Sequence, residues 1–390
     1  MSERKRNKSD ILGTEGATMT RRKVLKTGAA ATAAVTSFSI FSRSHAADQS
    51  LRVLCWPGYE ERGVIEEFED THKVKVDFKI YIGGEQMLSY FSQTPRGTFD
   101  AIISDSEYIG KLKALNALEP FSTAGMPDID NYHPKLRDVK MLRADDGKVW
   151  SVVTRFSFYG ISYNTNVISH EEAQDWNILF DPKLKGRIGV FDWYLPNMGN
   201  VSMAVQPNIE DPYAISDEAL EKVRQWLLKL RPQVLMFAAA NQPLVQAMLA
   251  EDIYASPVGD FEIDLILAGH KNYSSTIPKQ GGVRFQETAA LCAQGRNKEL
   301  AMEWIKYMMR AKTQSQLVYT NAFKARAPNM KVVDYWNDQQ RELLSYVPDP
   351  NNPKQLLVET LLERSVPRSL PSLQPERKWI DIYNEFKSAS

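Results

Sequence analysis

Aromatic and acidic residues recur in this 390-residue sequence where short apolar runs end. Trp56 and Tyr59 follow Val53-Leu54-Cys55, and Asp105, Glu107 and Tyr108 follow Ala101-Ile102-Ile103. Asp192, Trp193 and Tyr194 follow the run from Arg187 to Phe191, and Asp260 follows the run from Asp252 to Val258. Phe285 and Glu287 come just after Pro278-Lys279-Gln280-Gly281-Gly282, and Tyr319 lies in the run from Val318 to Pro328. Aromatic faces attract organic cations by about 0.5–2 kcal/mol each. A buried ammonium also needs a carboxylate, because leaving it unpaired costs several kcal/mol. Aromatics and acids gathered in one cleft therefore make a box for an amine. Taken singly, a Trp after a strand packs into a core and an Asp caps a turn. The pair Asp105 and Glu107 also suits an exposed helix start, where acids are favoured. Arg155, Arg284 and Arg326 offer the opposite chemistry: in a cleft an arginine holds a ligand carboxylate by bidentate pairing, and at a surface it pairs with an acid.

Catalytic chemistry has little to work with. Beyond residue 46 only His72, His133, His170 and His270 remain, none at metal-ligand spacing. There is no H-E-x-x-H, C-x-x-C, G-x-S-x-G, Walker or G-x-G-x-x-G pattern. Asp128-Ile129-Asp130-Asn131 is too short for a calcium loop. A nucleophile–base pair needs only proximity in space, so an exported enzyme stands as an alternative, but no metal, cofactor or catalysis is expected. The two cysteines, Cys55 and Cys292, lie in apolar runs and read as buried free thiols; a disulfide requires a distance that sequence does not give.

The elements that must position these residues alternate. Leu51 to Trp56 is a strand, and Val64, Ile65 and Phe68 then fall at helical spacing. Val74, Val76, Phe78, Ile80 and Ile82 alternate with polar residues as a half-buried strand. A helix carrying Met87, Leu88 and Phe91 leads to a strand over Ala101-Ile102-Ile103, and Ile109, Leu112 and Leu115 mark the next helix. Such alternation predicts a parallel sheet with right-handed crossovers and a ligand beyond the strands' carboxyl ends. A second set follows: strands at 187–191 and 252–258, a helix over Ala219–Leu230, and a core helix stripe of Leu300, Ala301, Trp304, Ile305 and Met308. Two α/β lobes account for both. The Pro-rich C-terminal segment reads as a surface wrap ending in a helix around Trp379, Ile380, Ile382 and Tyr383.

Residues 1–46 read as an address. Charges come first, then an Ala- and Thr-rich apolar run, then Ser44-His45-Ala46, the order of a cleaved secretory signal. Thr20-Arg21-Arg22-Lys23-Val24-Leu25-Lys26 resembles the twin-arginine export motif. The segment has nine basic and three acidic residues, which leaves 39 basic and 45 acidic beyond it. Formal charge over the whole chain is zero, hydrophobic residues make up 43% and charged residues 25%. That composition excludes a wholly disordered or fibrous chain, and the charge gives no support for a nucleic-acid partner. No stretch approaches the roughly 18 apolar residues of a membrane span.

In order and spacing the segments from Leu51 to about Phe386 resemble the periplasmic spermidine/putrescine-binding proteins of ABC importers. The strongest pieces are Leu54-Cys55-Trp56-Pro57-Gly58-Tyr59, Thr276-Ile277-Pro278-Lys279-Gln280-Gly281 and the run from Tyr319 to Pro328, with support from Arg155–Asn164 and Leu230-Arg231-Pro232. The resemblance implies a two-lobed periplasmic binding protein fold of type II, an α/β fold in which each lobe is a mixed sheet flanked by helices and hinge crossovers join the two. Residues 47–154 and 281–318 are expected in the first lobe, and 155–280 and 319–390 in the second. It also implies a periplasmic, monomeric receptor that binds a polyamine or related small amine between the lobes and docks on ABC permease subunits in the inner membrane.

By the same resemblance Trp56 and Tyr59 stack on ligand methylenes, Asp260 and Glu287 hold amino groups, Phe285 precedes the second acid, and Tyr319 lines the cleft. The chain also departs from the pattern. Pro257 and Val258 stand where a Trp is usual before the Asp, Pro196 replaces an acid, Pro57 replaces Ser or Thr, and Asp105 replaces a small polar residue, with Glu107 an extra acid. Trp193 and Tyr194 restore aromatic surface. The cation logic is kept with an altered shape, and a zwitterionic or carboxylate-bearing amine is the alternative ligand.

Overall fold

The computed structural model describes residues 50–389, so the leader expected over residues 1–46 lies outside the described residues. The chain runs from β1 (Ser50–Cys55) through α1 (Arg62–His72) to β2 (Lys75–Ile80), then through α2 (Gly84–Gln93) to β3 (Ala101–Asp105). After α3 (Ile109–Ala114), β4 (Leu118–Glu119) and a long loop comes β5 (Val152–Tyr159). The second set is β6 (Ile161–Asn164), β7 (Ile188–Phe191), α4 (Tyr194–Val205), α5 (Asp217–Leu230), β8 (Val234–Ala238), α6 (Asn241–Leu249), β9 (Ala255–Ser256), α7 (Glu262–Leu267) and β10 (Tyr273–Thr276). The chain then returns through β11 (Gly282–Cys292), α8 (Lys298–Met309) and α9 (Ala311–Leu317). It ends with the hairpin β12 (Pro348–Asp349) and β13 (Asn352–Leu356), α10 (Leu357–Glu363), β14 (Ser365–Pro367) and α11 (Glu376–Ser388).

Two sheets result. The first has the order β14-β11-β3-β1-β2, with β4 and β5 also on β11; the second has the order β10-β6-β9-β7-β8. β1 is parallel to β2 and β3, as the alternation predicts, but β11 runs antiparallel to β3 and β5, so the sheet is mixed. Side chains of β1 and β3 alternate between two apolar clusters, Leu54 and Ile102 on one face and Val53 and Ile103 on the other. Covering both faces buries nearly all of β1, including Arg52. Its guanidinium is answered by Asp100, with Nη2–Oδ1 at 3.0 Å and Nε donating to Oδ2 at 3.2 Å. The other Asp100 bonds come from the backbone amides of Arg52, Arg296 and Asn297, which fixes the starts of β1 and β3 against the loop before α8.

The lobes differ from the expected division. All of β5 pairs with β11, so the first crossing falls at Gly160 rather than at 154. The segment 319–363, expected in the second lobe, packs with the first: Ala325, Ala327, Val332, Trp336, Leu344 and Leu362 share a cluster with Leu54, Ile102 and Phe156. Mutual backbone bonds between Phe156 and Arg326 (2.9 and 2.7 Å) tie it to β5. Only the end of the chain joins the second lobe, where Trp379, Tyr383 and Phe386 of α11 pack with Leu220, Val223 and Leu227 of α5. The chain therefore crosses at Gly160, at 277–281 and again at 368–375. The strand expected over 252–258 is shortened to Ala255–Ser256, because Pro257 has no amide to extend the ladder. Cys55 and Cys292 are free and buried, and burial pushes both thiols up.

Gly160 permits the first crossing, since a Cβ there would lie 2.1 Å from the Thr276 carbonyl oxygen. Gly160→Ala is expected to destabilise the protein by about 1–3 kcal/mol through overpacking against backbone. Gly110→Ala, in α3 with nothing within 4 Å, is expected to be neutral or to stabilise by up to about 1 kcal/mol. Urea unfolding of the two variants beside the parent checks this; equal midpoints would refute the close-approach argument.

Candidate ligand-binding site

The site is built around the middle of β11. Between Glu287 and Thr288 the pairing with β5 shifts register, so Glu287 faces Arg155 while Thr288 faces Val153. Thr154 is the extra residue of this bulge, a feature that re-aims neighbouring side chains. Its hydroxyl donates to the Glu287 carbonyl oxygen at 3.1 Å and lies 2.7 Å from the Tyr59 hydroxyl. Arg155 and Glu287 then meet as a bidentate pair, Nε to Oε2 at 2.8 Å and Nη2 to Oε1 at 3.0 Å. Nη2 also donates to the Pro57 carbonyl oxygen at 3.0 Å, and the guanidinium lies over the rings of Tyr59 (4.8 Å) and Phe323 (5.4 Å). Arg155 is 2% exposed, so this charge is held inside the protein.

On the other side of β11, Glu287 is paired with Asp105 at the end of β3. Asp105 and Glu107 are both buried, and both contact Arg368: Glu107 Oε1 accepts from Arg368 Nε at 2.6 Å, and Arg368 Nη2 lies 3.4 Å from Asp105 Oδ2. Arg368 also donates to the Tyr159 hydroxyl at 2.9 Å and stacks on the Trp193 ring at 4.0 Å. Tyr159 and Phe323 flank Phe285 at 5.7 Å each. Asp105, Glu287, Arg155, Phe323, Phe285, Tyr159 and Arg368 thus form one continuous ring of contacts, with Trp193 of the second lobe against it.

Asp260 reaches this ring from the second lobe. Its Oδ2 accepts from Arg326 Nη1 at 2.7 Å and from the Ser157 hydroxyl, and Ser157 faces Phe285 across the strands. Arg326 Nη2 lies 3.7 Å from Glu262 Oε1. Trp56 packs on Tyr81 with ring centroids 5.0 Å apart, and its indole Nε1 is buried without a hydrogen-bond partner.

Two of the aromatics named from sequence lie apart. Tyr194 opens α4 and donates to Glu376 Oε1 at 2.6 Å, and Tyr319 has the Lys324 ammonium over its ring at 5.2 Å. The sequence reading names Arg155 and Arg326 but misses Arg368, Tyr159, Phe323 and Glu262. Arg284, also named, is buried away from any acid: it donates to the Ser365 carbonyl oxygen and to the Lys135 carbonyl oxygen at 3.3 Å, and burial lowers it to about 9. Among the described residues no group of three or more His, Cys, Asp or Glu could hold a metal ion, and no helix is long and apolar enough to cross a membrane. A cavity of about 490 Å³ lies elsewhere in the first lobe, lined in part by Met126, Tyr132, Arg137, Asp138 and Val153.

Burial raises the carboxyls of this cluster. Asp105 is pushed well above the usual carboxylate range by burial and then by Glu107, and Glu107 is raised by burial against the pull of Arg368. Glu262 is raised to about 7 by burial and then by Asp260.

The sequence pattern of the family described as "Bacterial extracellular solute-binding protein" matches residues 98–341, well over half of the chain. The chain belongs to the bacterial extracellular solute-binding proteins. Among curated members it is 25% identical over 275 residues to the spermidine/putrescine-binding periplasmic protein 1 of Haemophilus influenzae, covering 70% of this chain and 74% of that one. It is 22% identical over 306 residues to the putrescine-binding periplasmic protein PotF of Escherichia coli, covering 73% and 80%. The structure of the spermidine/putrescine ABC transporter substrate-binding protein of Streptococcus pneumoniae superposes with a TM-score of 0.69 at 17% identity, over 87% of this chain and 98% of that one. At that identity the likeness establishes the fold, two lobes on separate sheets. The charged ring lies where β1, β3, β5 and β11 meet the second lobe.

Folded Glu262 keeps its proton between the usual 4.5 and about 7, where the unfolded chain has released it. Its contribution to stability is complete below pH 4.5 and is lost as pH rises through about 7. Glu262→Gln keeps a neutral side chain throughout. Between pH 5 and pH 8 the parent is expected to lose about 1–3 kcal/mol more stability than this variant. Urea unfolding at the two pH values measures the difference, and parallel pH profiles would refute a protonated Glu262.

Proposed function

We propose that this solute-binding protein is the exported, periplasmic receptor of an ABC importer, that it binds a polyamine or related small amine between its lobes, and that it delivers the amine to the membrane permease without chemical change. The observation that carries the reading is the pair Asp105 and Glu107. Each is buried, and each has one carboxylate oxygen without a hydrogen-bond partner, Oδ2 and Oε2. They lie beside Arg368, Tyr159 and Trp193, where an ammonium group finds both acid and aromatic surface. The Haemophilus and Escherichia relatives, a spermidine/putrescine-binding and a putrescine-binding protein, support the same ligand class. The arginine pair in Thr20–Lys26 supports export by the twin-arginine route.

Binding without turnover is part of the same reading. The two thiols are buried and their acidity is suppressed, which removes the thiolate nucleophile. The three chain crossings are the natural hinges for lobes that close on a solute, and the ligand contacts come from both: Asp105, Glu107 and Glu287 from the first lobe, Trp193 and Asp260 from the second. Isothermal titration of the purified protein with putrescine, cadaverine, spermidine, agmatine and γ-aminobutyrate is expected to give one-to-one binding of at least one amine, recovered unaltered. Asp105→Asn with Glu107→Gln is expected to weaken it roughly ten- to a hundredfold. Binding of dicarboxylates and of no amine would overturn the reading, as would product formation from a bound amine.

A further inference from the structure

Three arginines occupy the place where a diamine would look for free acids. Arg155, Arg326 and Arg368 are 2%, 1% and 1% exposed. Arg155 takes both oxygens of Glu287, and Arg326 takes Asp260, the two acids that the polyamine resemblance assigns to ligand amino groups. Each of these acids is already neutralised by a guanidinium from the protein itself. A ligand ammonium placed there would face that guanidinium, and like charges in a buried site repel strongly, whereas Asp105 and Glu107 share the one guanidinium of Arg368.

The unsatisfied atoms of the site are of two kinds. Asp105 Oδ2, Glu107 Oε2 and Glu262 Oε2 are carboxyl oxygens without a hydrogen-bond partner, Asp105 Oδ2 lying 3.4 Å from Arg368 Nη2. Arg155 Nη1, Arg326 Nε and Trp56 Nε1 are donors, two of them on guanidinium groups, and all three are buried without a partner. Arg155 lies beside the end of β1, where its Nη2 bonds the Pro57 carbonyl oxygen next to Trp56 in the chain. Asp105 lies at the end of β3, on the other side of β11 from Arg155, and Arg326 meets Glu262 near Asp260. Buried polar groups are normally satisfied, so two kinds of unsatisfied atom in one site describe the two ends of what fills it. A diamine satisfies only the acceptors. A molecule with an ammonium and a carboxylate satisfies both, the carboxylate against Arg155 and Trp56 and the ammonium against Asp105 and Glu107.

We infer that the solute is a small amino carboxylate, a zwitterion rather than a diamine. The inference rests on the amine-receptor reading above and narrows its ligand class. Matched pairs that differ at one end test it: γ-aminobutyrate against putrescine, and 5-aminovalerate against cadaverine, titrated into the full protein by calorimetry. In at least one pair the amino carboxylate is expected to bind at least tenfold more tightly than its diamine. Arg155→Lys, which keeps a charge but loses the planar fork, is expected to weaken amino-carboxylate binding by roughly ten- to a hundredfold. Trp56→Phe removes one indole donor without touching an ion pair and is expected to weaken it by about threefold to tenfold; it decides the matter if Arg155→Lys does not fold. Tighter binding of the diamines, with both variants unaffected, would overturn the zwitterion and leave the amine receptor standing. Binding of neither series would overturn the amine reading itself.

Discussion

The Arg155–Glu287 pair is the constraint from which the rest of the site follows. β11 is buried along its whole length and pairs with four other strands, yet its sequence places Arg, Gln and Glu in mid-strand. A carboxylate there is removed from water, and the penalty for leaving it unpaired is several kcal/mol. Arg155 meets that need only because the bulge at Thr154 brings it opposite Glu287. The same bulge sends the Thr154 hydroxyl to Tyr59 and so locks the turn that follows β1. One extra residue in β5 therefore sets the position of Tyr59, the orientation of the guanidinium and the floor of the site.

The other two arginines carry this logic across the lobes. Arg326 belongs to a segment packed on the first lobe and holds Asp260, which precedes α7 of the second. Arg368 lies at the start of the last crossing, holds Glu107 of the first lobe and covers Trp193 of the second. The residues that set the charge of the site are also contacts between lobes. A solute that alters how these acids are shared alters the free energy of the lobe contacts by the same amount, which is the thermodynamic requirement for ligand-driven closure. A site with isolated acids on one lobe would bind a cation without that coupling.

Much of the fold is legible in the sequence because it is local. The apolar faces of α1 and α5 and the alternation in β2 follow from periodicity, and the ends of β1 and β3 place Trp56, Tyr59, Asp105 and Glu107. What is not legible depends on distant pairing. Arg368 meets Glu107 across 261 positions, and nothing around it in a Pro-rich segment marks it as a partner for a buried acid. Segment 319–363 carries apolar residues that suit either lobe, and its bonds to Phe156 decide between them. Trp193 and Tyr194 look alike as aromatics after a strand, but the first caps α4 and the second starts it, so they point to Arg368 and Glu376 respectively.

Charge bookkeeping over the whole chain says nothing about this site, whereas counting inside it does. Asp105, Glu107, Asp260, Glu262 and Glu287 face Arg155, Arg326 and Arg368. With every group ionised the cluster would carry two uncompensated negative charges in a buried place. Burial raises Asp105, Glu107 and Glu262 and so favours their neutral forms, while Glu287 and Asp260 have their counter-charge supplied by short contacts with Arg155 and Arg326.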